Sequence, residues 1–179
     1  MLPEYLEASD KNYMIIKLLG HGKGGYSYLA QADDGFVVVK AIHHEPCDYY
    51  SFGNKIEAEE RDYYRLKELG IRIPEMLRID REKERIVKQY IEGQTIFELV
   101  LNHKSTDPYL EQIRYMADLA YKAGLNIDYF PTNFVINNDL LWYINYECND
   151  YMPGWNFENR GIRYWSYTRE FDDHVRSQY

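Results

Sequence analysis

Lys40 closes the run Val37-Val38-Val39-Lys40, which is apolar enough to be a buried strand. A lysine there needs either a solvated strand face or a partner that compensates its burial. The chemically interesting case is a cation fixed beside phosphate groups and oriented by a carboxylate. Glu57, Glu59 and Glu60 follow on one helical stretch. Glu59 is the favoured partner, because Tyr63 and Leu66 succeed it at i+4 and i+7 and share its inward face. Upstream, Gly20, Gly22 and Gly25 form a G-x-G-x-x-G pattern. A dinucleotide fold needs a helix after such glycines, whereas a strand follows here. The open readings are a plain glycine hairpin and a hairpin laid over phosphates, where small residues let backbone come close. Farther on, Asp128 and Asn133 stand five apart in Asn-Ile-Asp-Tyr-Phe-Pro-Thr-Asn, with an apolar strand directly after them. A carboxylate and an amide at that spacing can point into one site from a tight loop, although Asp, Pro and Asn also form turns unaided. Asn145 and Glu147 follow in Ile-Asn-Tyr-Glu.

The elements that must position these residues read as follows. Residues 13–19, 26–31 and 36–42 are strand-like, with Asp33-Asp34-Gly35 as a hairpin turn. Residues 54–69 read as a helix capped by Asn54 and stopped by Gly70. Residues 75–80 and 84–90 are two more strands around Arg81-Glu82-Lys83. The first half is therefore a sheet of about five strands with one helix inserted after the third. In the second half, residues 95–102 and 107–123 read as helices, the latter capped by Asp107 with Pro108 behind it. Residues 134–136 and 141–146 are short strands around Asn137-Asn138-Asp139. The aromatic tail has weak periodicity and is expected to pack as core and cap through Trp155, Phe157, Tyr164 and Trp165. The change of character near Gly93 predicts two lobes and a cleft.

The chain has 179 residues, a length that suits one domain able to bury a core without staples. Its 45% hydrophobic content excludes a disordered chain. A formal charge of −8 argues against nucleic acid and anionic membrane as partners. Two cysteines, Cys47 and Cys148, are too few for a disulfide framework, and no secretory leader or membrane-length apolar run is visible. A cytoplasmic location is expected. Tyrosine, present nineteen times, suggests a half-exposed aromatic surface. The five histidines are scattered. His43, His44 and Cys47 lie close in sequence, but a further zinc ligand is not evident.

In order, the glycine hairpin, Val-Val-Val-Lys, the helical glutamate, D-x-x-x-x-N and a strand-end asparagine resemble the protein-kinase superfamily. Residues 87–93, Val-Lys-Gln-Tyr-Ile-Glu-Gly, are similar to the family's interlobe linker. The short spacings resemble minimal RIO-type kinases and the aminoglycoside and choline phosphotransferases. The resemblance covers residues 13 to about 150. It implies an α+β, minimal bilobal kinase-like fold in a single domain over residues 1–179. Residues 13–92 would form an N-lobe antiparallel sheet with one helix, and residues 93–179 a truncated, mainly helical C-lobe.

The same resemblance implies roles. Gly20, Gly22, Gly25 and Lys40 would hold ATP phosphates, with Glu59 orienting Lys40. Backbone groups of Gln89 and Ile91 would meet adenine. Asp128 would serve the acceptor hydroxyl, and Asn133, Asn145 and Glu147 would hold Mg²⁺. The sequence departs from the family at Asn126, in place of the catalytic-loop histidine, and at Phe130. Asn145 also replaces the metal-binding aspartate, so Glu147, or the more distant Asp150, would have to supply charge. Only thirty-two residues follow Glu147, too few for a full peptide-docking subdomain. The implied activity is ATP- and Mg²⁺-dependent transfer to a hydroxyl, serine/threonine-protein-kinase-like, on a protein or small-molecule acceptor. The alternatives are a small-molecule kinase and a pseudokinase that acts as a nucleotide-binding or scaffold module.

Overall fold

The computed structural model describes residues 2–46 and 54–178; Cys47 lies outside them. The protein is α+β, and its described residues form two compact units. The first comprises residues 1–61 and 74–90, the second residues 62–73 and 91–179.

The first unit is a six-stranded antiparallel sheet ordered β1-β2-β3-β4-β6-β5. Its strands are β1 (Tyr5–Ala8), β2 (Lys11–Gly22), β3 (Gly25–Ala32), β4 (Gly35–Ile42), β5 (Met76–Asp80) and β6 (Arg85–Gln89). The expected five strands are joined by β1, whose four residues are too few to show a period. The sheet curls so that β1 approaches β5 and β6. The Ser9 N–H donates to Asp80 Oδ2 at 2.7 Å, and Arg85 donates to the Glu7 carbonyl. Asp33 and Asp34 alone separate the paired Ala32 and Gly35, the two-residue hairpin that the sequence predicts. The core of this unit joins Leu6, Tyr13, Ala30, Val37, Val39 and Val87. Helix α1 (Lys55–Glu68) follows, and the Asn54 carboxamide oxygen caps it by accepting the Glu57 N–H at 3.1 Å.

The second unit mixes helices with short strands, so it is less helical than expected. Its helices are α2 (Ile96–Leu101), α3 (Asp107–Lys122) and α4 (Arg169–Ser177). β7 (Gln94–Thr95), β9 (Phe134–Asn137) and β10 (Leu140–Tyr143) form one small sheet, β8 (Leu125–Ile127) and β11 (Cys148–Asp150) another. The turn between β9 and β10 is Asn138-Asp139, both at positive φ, as a type I′ hairpin requires. Residues 62–73 group with this unit rather than with the sheet, because Leu66 and Ile71 are buried in its core. Phe134 and Phe157 pack on the Trp165 ring at 5.2 and 5.3 Å between centroids, as core residues. Trp155, by contrast, is exposed under the Arg160 guanidinium.

Two local expectations change. Thr106, not Asp107, is the N-cap of α3, and its hydroxyl donates to the Trp165 carbonyl instead of to the helix. Helix α4 was not expected. Phe171 is its one fully buried residue, so its apolar stripe is too thin to register as a period. No helix among the described residues is long and apolar enough to cross a membrane.

Candidate functional site

Lys40 lies near the end of β4, with β3 on one side and β6 on the other. Its register partners are Ser27 and Ile86, and the apolar neighbours along β4 keep water away. The Lys40 ammonium donates to Glu59 Oε1, and both residues are only 9% exposed. The rival glutamates are elsewhere: Glu57 is exposed, and Glu60 pairs with Arg81. The helix-face argument therefore selects the correct carboxylate. Glu59 Oε2 is buried with no hydrogen-bond partner among the described residues. A buried carboxylate oxygen left open is costly, and such atoms cluster where ligands or protons act.

The glycine pattern divides on inspection. Gly20 and Gly22 face open space, so packing does not demand a glycine at either. A Cβ on Gly25 would come within 2.3 Å of the Ala41 carbonyl oxygen, so β3 can cross β4 there only with glycine. Gly24, outside the recognised pattern, lies on the ion pair itself. Its Cβ would meet Lys40 Nζ at 3.0 Å and Glu59 Oε1 at 3.2 Å. The hairpin tip, Lys23-Gly24, thus rests on Lys40 and Glu59. Lys55, the first residue of α1 and itself buried, donates to the Lys23 and His43 carbonyls and holds the tip.

Lys88 is a second buried cation near this pair. It stands opposite Val38 across β4 and β6, two residues from Lys40 on the same sheet face. Burial first and the neighbouring Lys40 charge second push its pKa down to about 8, against the opposing pull of Glu59. A lysine inside Ile-Val-Lys was a visible signal, but it reads as one residue of a linker. Gln89, expected to offer backbone to adenine, uses its N–H on the Glu75 carbonyl at 2.8 Å, which removes that donor. Ile91 is buried.

The second unit gathers the other candidates. Asp128 follows β8, and its Oδ1 accepts the Phe130 N–H at 3.1 Å, shaping the turn into Pro131–Asn133. The Asn133 side-chain amide donates to the Asp128 carbonyl at 3.3 Å, so its amide oxygen is the side-chain atom that can act as an acceptor or ligand. The Ile144 N–H donates to the Asn133 carbonyl at 2.9 Å and sets Asn145 beside that loop. Asn145 Nδ2 lies 3.5 Å from Glu147 Oε2. Asp150, in contrast, is exposed at the end of β11.

Tyr143, which sequence reasoning passed over as a strand residue, ties these together. Its buried hydroxyl accepts the Asp128 N–H at 3.2 Å and donates to the Glu147 carbonyl at 2.8 Å. Burial holds this phenol far above its usual range, so it stays a neutral donor. Asn126 is 5% exposed; its amide donates to the Met152 carbonyl at 2.9 Å. Below it, Cys148 donates its N–H to Asp62, and burial followed by the Asp62 charge pushes its thiol up to about 12. That thiol is a packing group and not a nucleophile.

Each unit therefore carries one constellation of the chemistry that the sequence implies: a buried lysine–glutamate pair under a glycine tip, and an Asp, two Asn and a Glu around one tyrosine. No protein-family model matches the chain, and no curated protein sequence matches it.

Proposed function

We propose that this chain is an ATP- and Mg²⁺-dependent phosphotransferase of minimal, bilobal, protein-kinase-like design. The observation that carries the reading is the buried Lys40–Glu59 pair beneath the Gly24 backbone. A strand-borne ammonium oriented by a carboxylate, with a glycine hairpin above it, suits the phosphates of a nucleotide. The absence of a side chain at Gly24 lets backbone lie close over the Lys40 ammonium, as a phosphate loop requires.

The donors in the second unit are all hard oxygens, which fits Mg²⁺. Asn133 would offer its amide oxygen, Asn145 another, and Glu147 the charge that Asn145 lacks. Bound Mg²⁺ would neutralise charge developing on the transferred group. Asp128, its backbone held by Tyr143, would orient an acceptor hydroxyl and take its proton. The acceptor is a hydroxyl of a protein or a small molecule, and the Ile-Asn-Tyr-Glu ending favours the small molecule.

Asn145 supports a second reading, a nucleotide-binding pseudokinase, because an amide beside Glu147 leaves the metal one carboxylate short. The test separates the two. ATP should raise the melting temperature, more so with Mg²⁺. A ligand at 100 times its Kd adds about 2.7 kcal/mol. Lys40→Met should abolish that shift. ATP hydrolysis or transfer that Asp128→Asn removes while ATP binding persists identifies the enzyme. Binding without turnover identifies the pseudokinase, and no ATP-dependent shift in either condition rejects both.

A further inference from the structure

Two of the histidines that look scattered in sequence meet at the glycine hairpin. His21, near the end of β2, stands opposite Tyr26 on β3, and their rings stack at 4.2 Å with planes 4° apart. His43 follows β4, and its ring lies 5.1 Å from that of His21. The Tyr26 hydroxyl donates to Glu45 Oε1 at 2.7 Å and so turns Glu45 Oε2 toward both imidazoles. That oxygen is 3.3 Å from His21 Nε2 and 3.9 Å from His43 Nε2.

We propose that His21, His43 and Glu45 form a binding site for a first-row transition-metal ion, with Zn²⁺ the best match. One ligand atom from each residue lies within 4.8 Å of the other two, close to the spacing of donors that surround a single ion. Two imidazoles, borderline donors, with one carboxylate oxygen make a ligand set that suits zinc, and three protein ligands leave one position for water. Tyr26 plays the part that outer residues play at metal sites, fixing the ligand carboxylate by a hydrogen bond while its ring supports His21. His21 and Glu45 side chains are about half exposed, so an ion can enter from solvent.

His43 must change its bonding to take part. Its Nδ1 accepts the Glu45 N–H at 3.2 Å, and its Nε2 faces the Gly22 carbonyl at 2.8 Å. Ligation through Nε2 replaces that proton with the metal and moves the proton to Nδ1, which then gives up the Glu45 N–H. The ion would thereby link the hairpin, through His21, to the segment after β4, through His43 and Glu45. Lys55 already bridges the same two segments through the Lys23 and His43 carbonyls. The metal would act as a second clasp that limits how far the glycine tip lifts. The site itself does not depend on the phosphotransferase reading.

The test uses the full chain without an affinity tag, freed of metal by a chelator and titrated with Zn²⁺ in a calorimeter. One ion should bind per chain at micromolar concentrations, and the melting temperature should rise with it. Co²⁺ should give a visible absorption band on binding, which Zn²⁺ then bleaches. His21→Ala, His43→Ala and Glu45→Gln should each weaken Zn²⁺ binding at least tenfold, because even outer residues at metal sites are worth 10–100-fold. Tyr26→Phe should weaken it less than any ligand variant. Glu45→Gln keeps the volume of an exposed side chain, so it reports even where a histidine variant fails to fold. His103→Ala and His174→Ala should bind as the parent does. Absence of saturable binding in the parent, or Zn²⁺ affinity unchanged in both His21→Ala and Glu45→Gln, overturns the proposal.

Discussion

The Tyr143 hydroxyl sits between two acidic residues of the second unit, accepting the Asp128 backbone N–H and donating to the Glu147 carbonyl. Tyr143→Phe leaves both groups, which are part-buried, with one partner fewer. The expected loss is about 1–3 kcal/mol of stability, the usual range for an orphaned buried polar group. If Asp128 and Glu147 act together, turnover should fall by a larger factor than the stability change explains, while ATP affinity without Mg²⁺ stays constant. Chemical denaturation and steady-state kinetics on the same preparation measure both. A variant with parental turnover removes Tyr143 from the positioning of the site.

The glycines of the hairpin separate fold from function. Gly25→Ala should destabilise the protein sharply, since its Cβ would press on the Ala41 carbonyl. Gly22→Ala meets open space and should leave the melting temperature within about a degree or two, in keeping with the small effect of most exposed substitutions. Under the phosphate-loop reading, Gly24→Ala should weaken ATP binding and disturb the Lys40–Glu59 pair beneath it. If Gly24→Ala leaves nucleotide affinity untouched, the hairpin is a plain turn.

Lys88 makes stability depend on alkaline pH. Its folded pKa, about 8, lies below its ordinary 10.5 because of burial first and the Lys40 charge second. Between those values the unfolded chain binds the proton and the folded chain does not, so stability should rise from pH about 8 to about 10.5. A shift of this size corresponds to at most about 3 kcal/mol. Lys88→Met should be more stable than the parent at pH 7 and should lack this rise. The difference between the two urea-denaturation profiles across that window isolates Lys88 from the tyrosines. Parallel profiles would show that the charge on Lys88 is fully compensated by its surroundings.

Asn145→Asp places a second carboxylate about where Nδ2 now lies, 3.5 Å from Glu147 Oε2. Without metal the two negative charges repel, and with Mg²⁺ they converge on it. Two unit charges 4 Å apart interact by about 4 kcal/mol at an effective dielectric of 20, less the cost of desolvating the new carboxylate. Mg·ATP should therefore bind at least tenfold tighter, about 1.4 kcal/mol. Titration of both proteins with and without Mg²⁺ reads this directly. Weaker Mg·ATP binding by the variant would mean that Glu147 alone satisfies the ion, and equal binding that residue 145 does not meet the metal.

Local chemistry was enough to identify several parts of this protein. The two-residue turn at Asp33-Asp34, the Asn54 cap and the β4 lysine depend on a few adjacent side chains. The choice of Glu59 over Glu57 and Glu60 follows from helical period alone, because a 3.6-residue repeat puts only one of the three on the face shared by Tyr63 and Leu66. Contacts between distant segments were not legible. Gly24 matters because the hairpin tip folds down onto a lysine and a glutamate from two other elements. Tyr143 matters because its hydroxyl falls between two backbone groups that lie fifteen residues before it and four after. β1 has four residues and α4 one fully buried side chain, so neither carries enough period to be seen, and each is held by packing within its own unit. The histidines show the same limit: twenty-one residues separate His43 from the Gly22 carbonyl it meets, and only the pairing of β2, β3 and β4 brings His21, His43 and Glu45 to one point. Sequence specifies the local backbone through steric and capping preferences of a few kcal/mol at most, whereas the convergence of remote side chains follows from strand register and core packing summed over the whole unit.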